Sequence, residues 1–141
     1  MTKHISDIKT WFQLAVPEPT DKSRAVQIGV HFEEVAEMLD ATGDLHEADA
    51  LSTIADYYKT QCGGITLAGA MSRKELLDAL CDQIVTATGV AHMFGLDIEG
   101  ALAEVIRSNN SKFVDGKPVF DANGKIAKPA TYSPPDLTAF V

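Results

Sequence analysis

Glycines and prolines cut the first 111 residues into stretches that each repeat apolar side chains at helical spacing, and this punctuation narrows the possible folds most. A short amphipathic segment over about 5–15 ends at the breaker pair Pro17 and Pro19. Asp21 or Ser23 is then placed to cap a long helix to about Thr42, where Gly43 stops it. Asp44 restarts a helix in which Leu45, Ala48, Leu51, Ile54, Ala55 and Tyr58 recur at helical spacing, up to Cys62-Gly63-Gly64. Gly63, Gly64 and Gly69 read as a loop. Ser72 with Glu75 three residues later reads as a capping box for a helix to about Phe94. Gly95 closes that helix, and Asp97 caps another to about Asn109.

The remainder differs in kind. Asp115-Gly116 and Asn123-Gly124 are hairpin-type dipeptides, and Pro129, Pro134 and Pro135 follow. The expected architecture is one all-α domain over 1–141, with a bundle of four or five helices over 1–111. An irregular hairpin and extended arm occupies 112–141. Asp121-x-Asn123-Gly124 is not a calcium loop, because setting Gly124 at the sixth position puts Val119 at the first.

Composition excludes several classes. A formal charge of −8 on 141 residues makes a nucleic-acid backbone an unfavourable partner. No stretch approaches the roughly 18 apolar residues of a membrane span, and MTKHISDIKTWFQ carries no signal-like apolar run. Cys62 and Cys81 form no CxxC pair and read as reduced thiols of a cytoplasmic protein.

The chemistry concentrates in HFEEVAEMLD. At about 100° per residue, Ile28, Phe32, Val35 and Leu39 form one apolar stripe. Glu33, Glu34 and Glu37 share a second arc with Val26, Val30 and Ala41. The helix over 73–94 repeats the pattern. Leu77, Leu80, Ile84, Ala87 and Ala91 form its expected core face, while Glu75, Asp78 and Asp82 lie opposite with Gly89 and Met93 in line. Gly89 leaves room for a close approach. Two acidic stripes facing each other would repel in a low-dielectric cleft unless a cation compensates them. An all-oxygen carboxylate set favours Mg²⁺ or Mn²⁺. Taken singly, either stripe is also an ordinary solvated helix face.

Glu33-Glu34-x-x-Glu37 resembles the EExxE signature of the MazG-like all-α NTP pyrophosphohydrolases, whose second half is ExxD on a later helix. Glu75-x-x-Asp78 matches ExxD literally. Counting back from Gly95-Leu96-Asp97, which is similar to the family's following turn, instead puts its aspartate at Asp82 and leaves Ala79 at its glutamate. Asp78 would then substitute from the same face. DALCDQIVTATG, Ser108-Asn109-Asn110-Ser111-Lys112, GKIAKP and YSPPDL resemble a phage-associated, phosphoribosyl-ATP pyrophosphohydrolase-like branch. The resemblance covers about residues 5–137.

The resemblance implies hydrolysis of a (d)NTP to (d)NMP and diphosphate, with a purine deoxynucleotide such as dGTP or dATP as substrate. It implies a homodimer or homotetramer, located in the host cytoplasm if phage-encoded. Glu34, Glu37, Asp78 and Asp82 would hold the metal, and Glu33 would orient or deprotonate water. Asn109, Lys112, Lys125 and Lys128 would contact phosphate. Two other readings stand beside it: phosphoribosyl-ATP hydrolysis, and a non-catalytic helical oligomer that uses its acids to bind a metal. Cations set against carboxylates separate the last from an enzyme, since a pure metal-binding module does not require them.

Overall fold

The computed structural model describes residues 2–141. Among them are six α-helices: α1 (Thr2–Ala15), α2 (Asp21–Thr42), α3 (Leu45–Thr60), α4 (Cys62–Ala70), α5 (Arg73–Met93) and α6 (Ile98–Asn110). A 3₁₀ turn at Thr138–Phe140 follows. No strand forms among the described residues, so the fold is all-α, with six helices where four or five were expected. The chain divides into two compact units.

One unit comprises Glu18–Met71 and Phe120–Lys125, and holds α2, α3 and α4. The cap of α2 is Thr20, not Asp21 or Ser23. Its hydroxyl accepts from Ser23 N–H at 3.1 Å, while the Ser23 hydroxyl accepts from Thr20 N–H at 2.7 Å. This is a reciprocal box with serine where glutamate is usual. Gly43 ends α2 in the left-handed region at φ +86°, and Asp44 N–H reaches back to Leu39 C=O at 3.2 Å. The tight link folds α3 back on α2.

Their contact is made of small residues. Ala25, Val26, Gly29 and Ala36 of α2 are buried, as are Ala48 and Ala55 of α3. A Cβ at Gly29 would lie 2.6 Å from the Ala55 carbonyl oxygen, so the helices touch backbone to backbone there.

CGGITLAGA forms α4, where the three glycines suggested a loop. Glycine is a poor helix former in isolation. Here tertiary packing prevails, because Gly64 and Ala68 are buried against the rest of the unit. A Cβ at Gly64 would lie 2.7 Å from Tyr58 Cα, an approach that a larger residue would block.

The other unit comprises the segment up to Pro17, Ser72–Val119 and Ile126–Val141. It holds α1, α5, α6 and the 3₁₀ turn. Trp11 of α1 donates its indole N–H to Asn109 C=O at 3.0 Å and stacks on Phe113, with ring centroids 5.3 Å apart. This pins α1 to the end of α6. Gly95 (φ +71°) lets the chain leave α5, and Asp97 caps α6 by accepting from Gly100 N–H at 3.0 Å.

The C-terminal arm is tied to α6 rather than trailing. Arg107 makes two 2.8 Å bonds to Glu104 and also donates to Pro134 C=O at 3.0 Å. Ser133 N–H donates to the Ser111 hydroxyl at 2.8 Å, and Asp97 N–H donates to Phe140 C=O at 3.0 Å. Asp115 and Gly116 both take positive φ between the bridged pair Val114 and Lys117, a hairpin turn without strands.

Two expectations about α5 are corrected. Ser72 makes no side-chain cap bond, so the Ser72–Glu75 box does not form. Of the expected core face only Ala91 is buried, and Leu77 is 63% exposed. A helical stripe records which side of a helix is apolar, but not whether the same chain supplies its cover.

Candidate functional site

The acids of the EExxE segment occupy the middle of α2 and differ in environment. Glu33 continues the buried line through Val26 and Gly29 toward α3, whereas Glu34 and Glu37 are exposed. A half-buried carboxylate needs compensation, and two lysines provide it. Lys59 Nζ lies 3.3 Å from one Glu33 oxygen, and Lys125 Nζ lies 2.7 Å from the other. Lys59 also pairs with Asp56 at 3.1 Å. The cluster therefore holds two carboxylates and two ammonium groups, all within one unit.

Local structure delivers each cation. Lys59 extends the inward line of Ala48 and Ala55 by one more turn of α3, and its side chain is only 13% exposed. Lys125 closes a small loop. The Asp121 carboxylate accepts from Asn123 N–H at 2.9 Å and from Lys125 N–H at 3.0 Å, and Gly124 takes φ +79°. Asp121 N–H returns a 2.8 Å bond to Lys125 C=O. The Asp121–Gly124 segment is thus a turn, as its spacing indicated, and its role is to present Lys125.

These contacts set the protonation. The Lys125 hydrogen bond lowers the Glu33 pKa; burial opposes it, and Lys59 adds to the lowering. At Lys59, burial works against the ammonium, but the Asp56 and Glu33 carboxylates outweigh it and raise its pKa. Glu33 and Lys59 are therefore both charged at neutral pH. A carboxylate held ionised in this way is a weaker proton acceptor than an unpaired one, so Glu33 is better suited to orienting water than to deprotonating it.

Glu75, Asp78 and Asp82 are exposed on α5, in the unit that does not contain α2. Among the described residues, no group of three or more His, Cys, Asp or Glu side chains is gathered as a metal cage would be. Gly89, expected to permit a close approach, has nothing within 4 Å of a built Cβ.

The remaining expected phosphate contacts belong to the unit of α6. Asn109 is half-buried, its carbonyl taken by Trp11. Lys112 and Lys128 both approach the Tyr132 ring, at 5.8 and 5.2 Å from its centroid. The structure therefore brings Glu33 to Lys125, and brings Lys112 and Lys128 each to Tyr132.

Sequence reasoning missed Lys59. Its signal was present: Ala48, Ala55 and Lys59 recur at intervals of seven and four, which puts a lysine on the apolar line of α3. Comparison with family models, with curated proteins and with solved structures finds no match for this chain.

Proposed function

We propose that the chain is a metal-dependent nucleoside triphosphate pyrophosphohydrolase that converts a (d)NTP and water to (d)NMP and diphosphate. The preferred substrate in this reading is a purine deoxynucleotide, dGTP or dATP, and the enzyme works in the cytoplasm as a homo-oligomer. The observation that carries the reading is the 2.7 Å pair between Lys125 and Glu33, which joins EExxE to GKIAKP across 92 residues of sequence. These are two of the segments on which the resemblance to MazG-like enzymes rests. A module that only bound metal through its acids would be weakened by an ammonium set against them.

In this reading Glu34 and Glu37 of α2 would supply oxygen ligands in one unit, and Asp78 and Asp82 of α5 would supply them in the other. That donor chemistry suits Mg²⁺ or Mn²⁺. A bound ion would offset charge on the triphosphate and on the transition state. Glu33 orients the attacking water. Lys125, Lys112, Lys128 and Asn109 hold phosphate oxygens, Lys125 exchanging its carboxylate partner for the ligand.

The test is diphosphate release from a panel of dNTPs, with and without Mg²⁺, and from phosphoribosyl-ATP. Turnover of dGTP or dATP should require the ion, and Glu37→Gln should lose at least ~10²-fold in rate. Full turnover in excess EDTA after dialysis, or no turnover of any nucleotide, refutes the proposal.

A further inference from the structure

Lys59 and Lys125 each take one oxygen of the same carboxylate, yet the unit holds the two lysines differently. The Lys59 stem lies in the notch left by Gly29, one turn before Glu33 on α2. A Cβ at Gly29 would fall 2.6 Å from Lys59 Cγ, so a side chain there would displace the stem. The Lys59 ammonium is shared between Glu33 Oε1 at 3.3 Å and Asp56 Oδ1 at 3.1 Å, and its side chain is 13% exposed. Lys125, at the end of a small turn, is 40% exposed. Among the described residues its one carboxylate partner is Glu33, through Oε2 at 2.7 Å.

We propose that Lys59 is a positioning residue that holds Glu33 by Oε1, which makes Oε2 the oxygen that orients water once Lys125 has left it for phosphate. The proposal rests on the hydrolysis reading, which gives roles to Glu33 and Lys125 and none to Lys59. A lysine stem has several rotatable bonds, and fixing its ammonium costs their freedom. The Gly29 notch and Asp56, nearly one turn back on α3, hold the Lys59 ammonium in place before a ligand arrives.

Charge decides which lysine can leave. A phosphate drawn to Lys59 would enter a half-buried space beside the Glu33 and Asp56 carboxylates, anion against anions. At Lys125 the side chain already reaches solvent, and its departure leaves Glu33 compensated by Lys59. Departure of Lys59 would instead leave Glu33 to a single lysine carried by a turn. The more exposed lysine also marks the open side of the carboxylate, so Oε2 is the oxygen that water can reach. An order of events follows. Phosphate takes Lys125, water replaces it at Oε2, and the nucleophile is oriented only where substrate is bound.

Lys59→Met keeps an unbranched stem over Gly29 and removes the charge. Its kcat should fall by about 10- to 100-fold, the cost of a misplaced group, with KM within about 2-fold of the parent. Lys125→Met should act chiefly on KM, raising it by roughly 10-fold, as expected for one lost charged hydrogen bond to phosphate. A second arm reads the clamp without turnover. With isotope-labelled glutamate, side-chain NMR relaxation should show Glu33 ordered in the parent and in Lys125→Met, and mobile in Lys59→Met. In the unmodified chain, nitrogen relaxation of the lysine ammonium groups should show Lys59 to be the more rigid of the two, a comparison that requires no variant to fold. A Lys59→Met enzyme that loses in KM and not in kcat, a Glu33 that stays ordered without Lys59, or a Lys125 ammonium as rigid as that of Lys59 overturns the proposal. No turnover in the parent refutes the hydrolysis itself and the water-orienting role with it. The relaxation arm tells that failure apart from failure of the clamp.

Discussion

Replacing Gly29 with alanine would place one methyl group where α2 and α3 touch backbone to backbone. The built Cβ falls 2.6 Å from the Ala55 carbonyl oxygen, 2.6 Å from Lys59 Cγ and 3.2 Å from Lys59 N–H nitrogen. Lys59 Cγ belongs to a flexible side chain, but the Ala55 oxygen and Lys59 nitrogen are α3 backbone and cannot move alone. Relief requires the helices to part by about 1 Å, a gap that forfeits roughly a quarter to a half of the dispersion at each affected contact. Overpacking of this kind costs about 1–3 kcal/mol. Against it stands the gain of about 1 kcal/mol for alanine over glycine inside a helix. The net expectation is a loss of up to about 2 kcal/mol. Gly89 supplies the internal control, since it is also inside a helix but has nothing within 4 Å of its built Cβ. Gly89→Ala should keep the propensity gain and be stabilised by about 0.5–1 kcal/mol. Because the propensity gain is common to both, the two variants should differ by the overpacking cost, about 1–3 kcal/mol, in urea unfolding. Far-UV circular dichroism is the appropriate probe, because the sole tryptophan, Trp11, lies in the unit that does not contain Gly29. A Gly29→Ala protein as stable as Gly89→Ala would refute the account of the α2–α3 contact. It would also remove the reason given for Lys59 reaching Glu33.

Two further outcomes are expected. The Glu104 carboxyl is held at about 2, against an ordinary 4.5, first by the Arg107 hydrogen bonds and then by Asp136 N–H. Because the folded value is depressed, this anchor is fully present above pH 4.5 and is lost as pH falls toward 2. Amide exchange of residues 133–138 should stay protected at neutral pH and rise in that acid window, and Arg107→Gln should remove the protection already at pH 7. Asp78→Asn should abolish metal-dependent turnover, while Glu75→Gln, with no cap bond formed at Ser72, should stay within about 0.5 kcal/mol of the parent in stability and keep its activity. Loss of turnover in Glu75→Gln as well as in Asp78→Asn would make Glu75-x-x-Asp78 the literal second motif.

Local chemistry was legible wherever it is settled by near neighbours. Gly43 and Gly95 stop helices because the left-handed backbone they adopt disfavours other residues, and Asp44 and Asp97 cap because a short carboxylate reaches a nearby N–H of its own first turn. The Asp115-Gly116 turn follows for the same reason. The acids of α2 stood out in the sequence because they interrupt an apolar arc. What compensates Glu33 did not, since its partners lie 26 and 92 residues away and only packing brings them near. Nor did α4, where burial of Gly64 and Ala68 outweighs the poor propensity of three glycines. The stripe on α5 marks the limit most clearly. Its periodicity fixed which side of the helix is apolar, whereas only the tertiary structure decided that the chain buries Ala91 and leaves Leu77, Leu80 and Ile84 uncovered. The physical reason is that hydrophobic burial carries no direction: water is excluded equally by the same chain or by another.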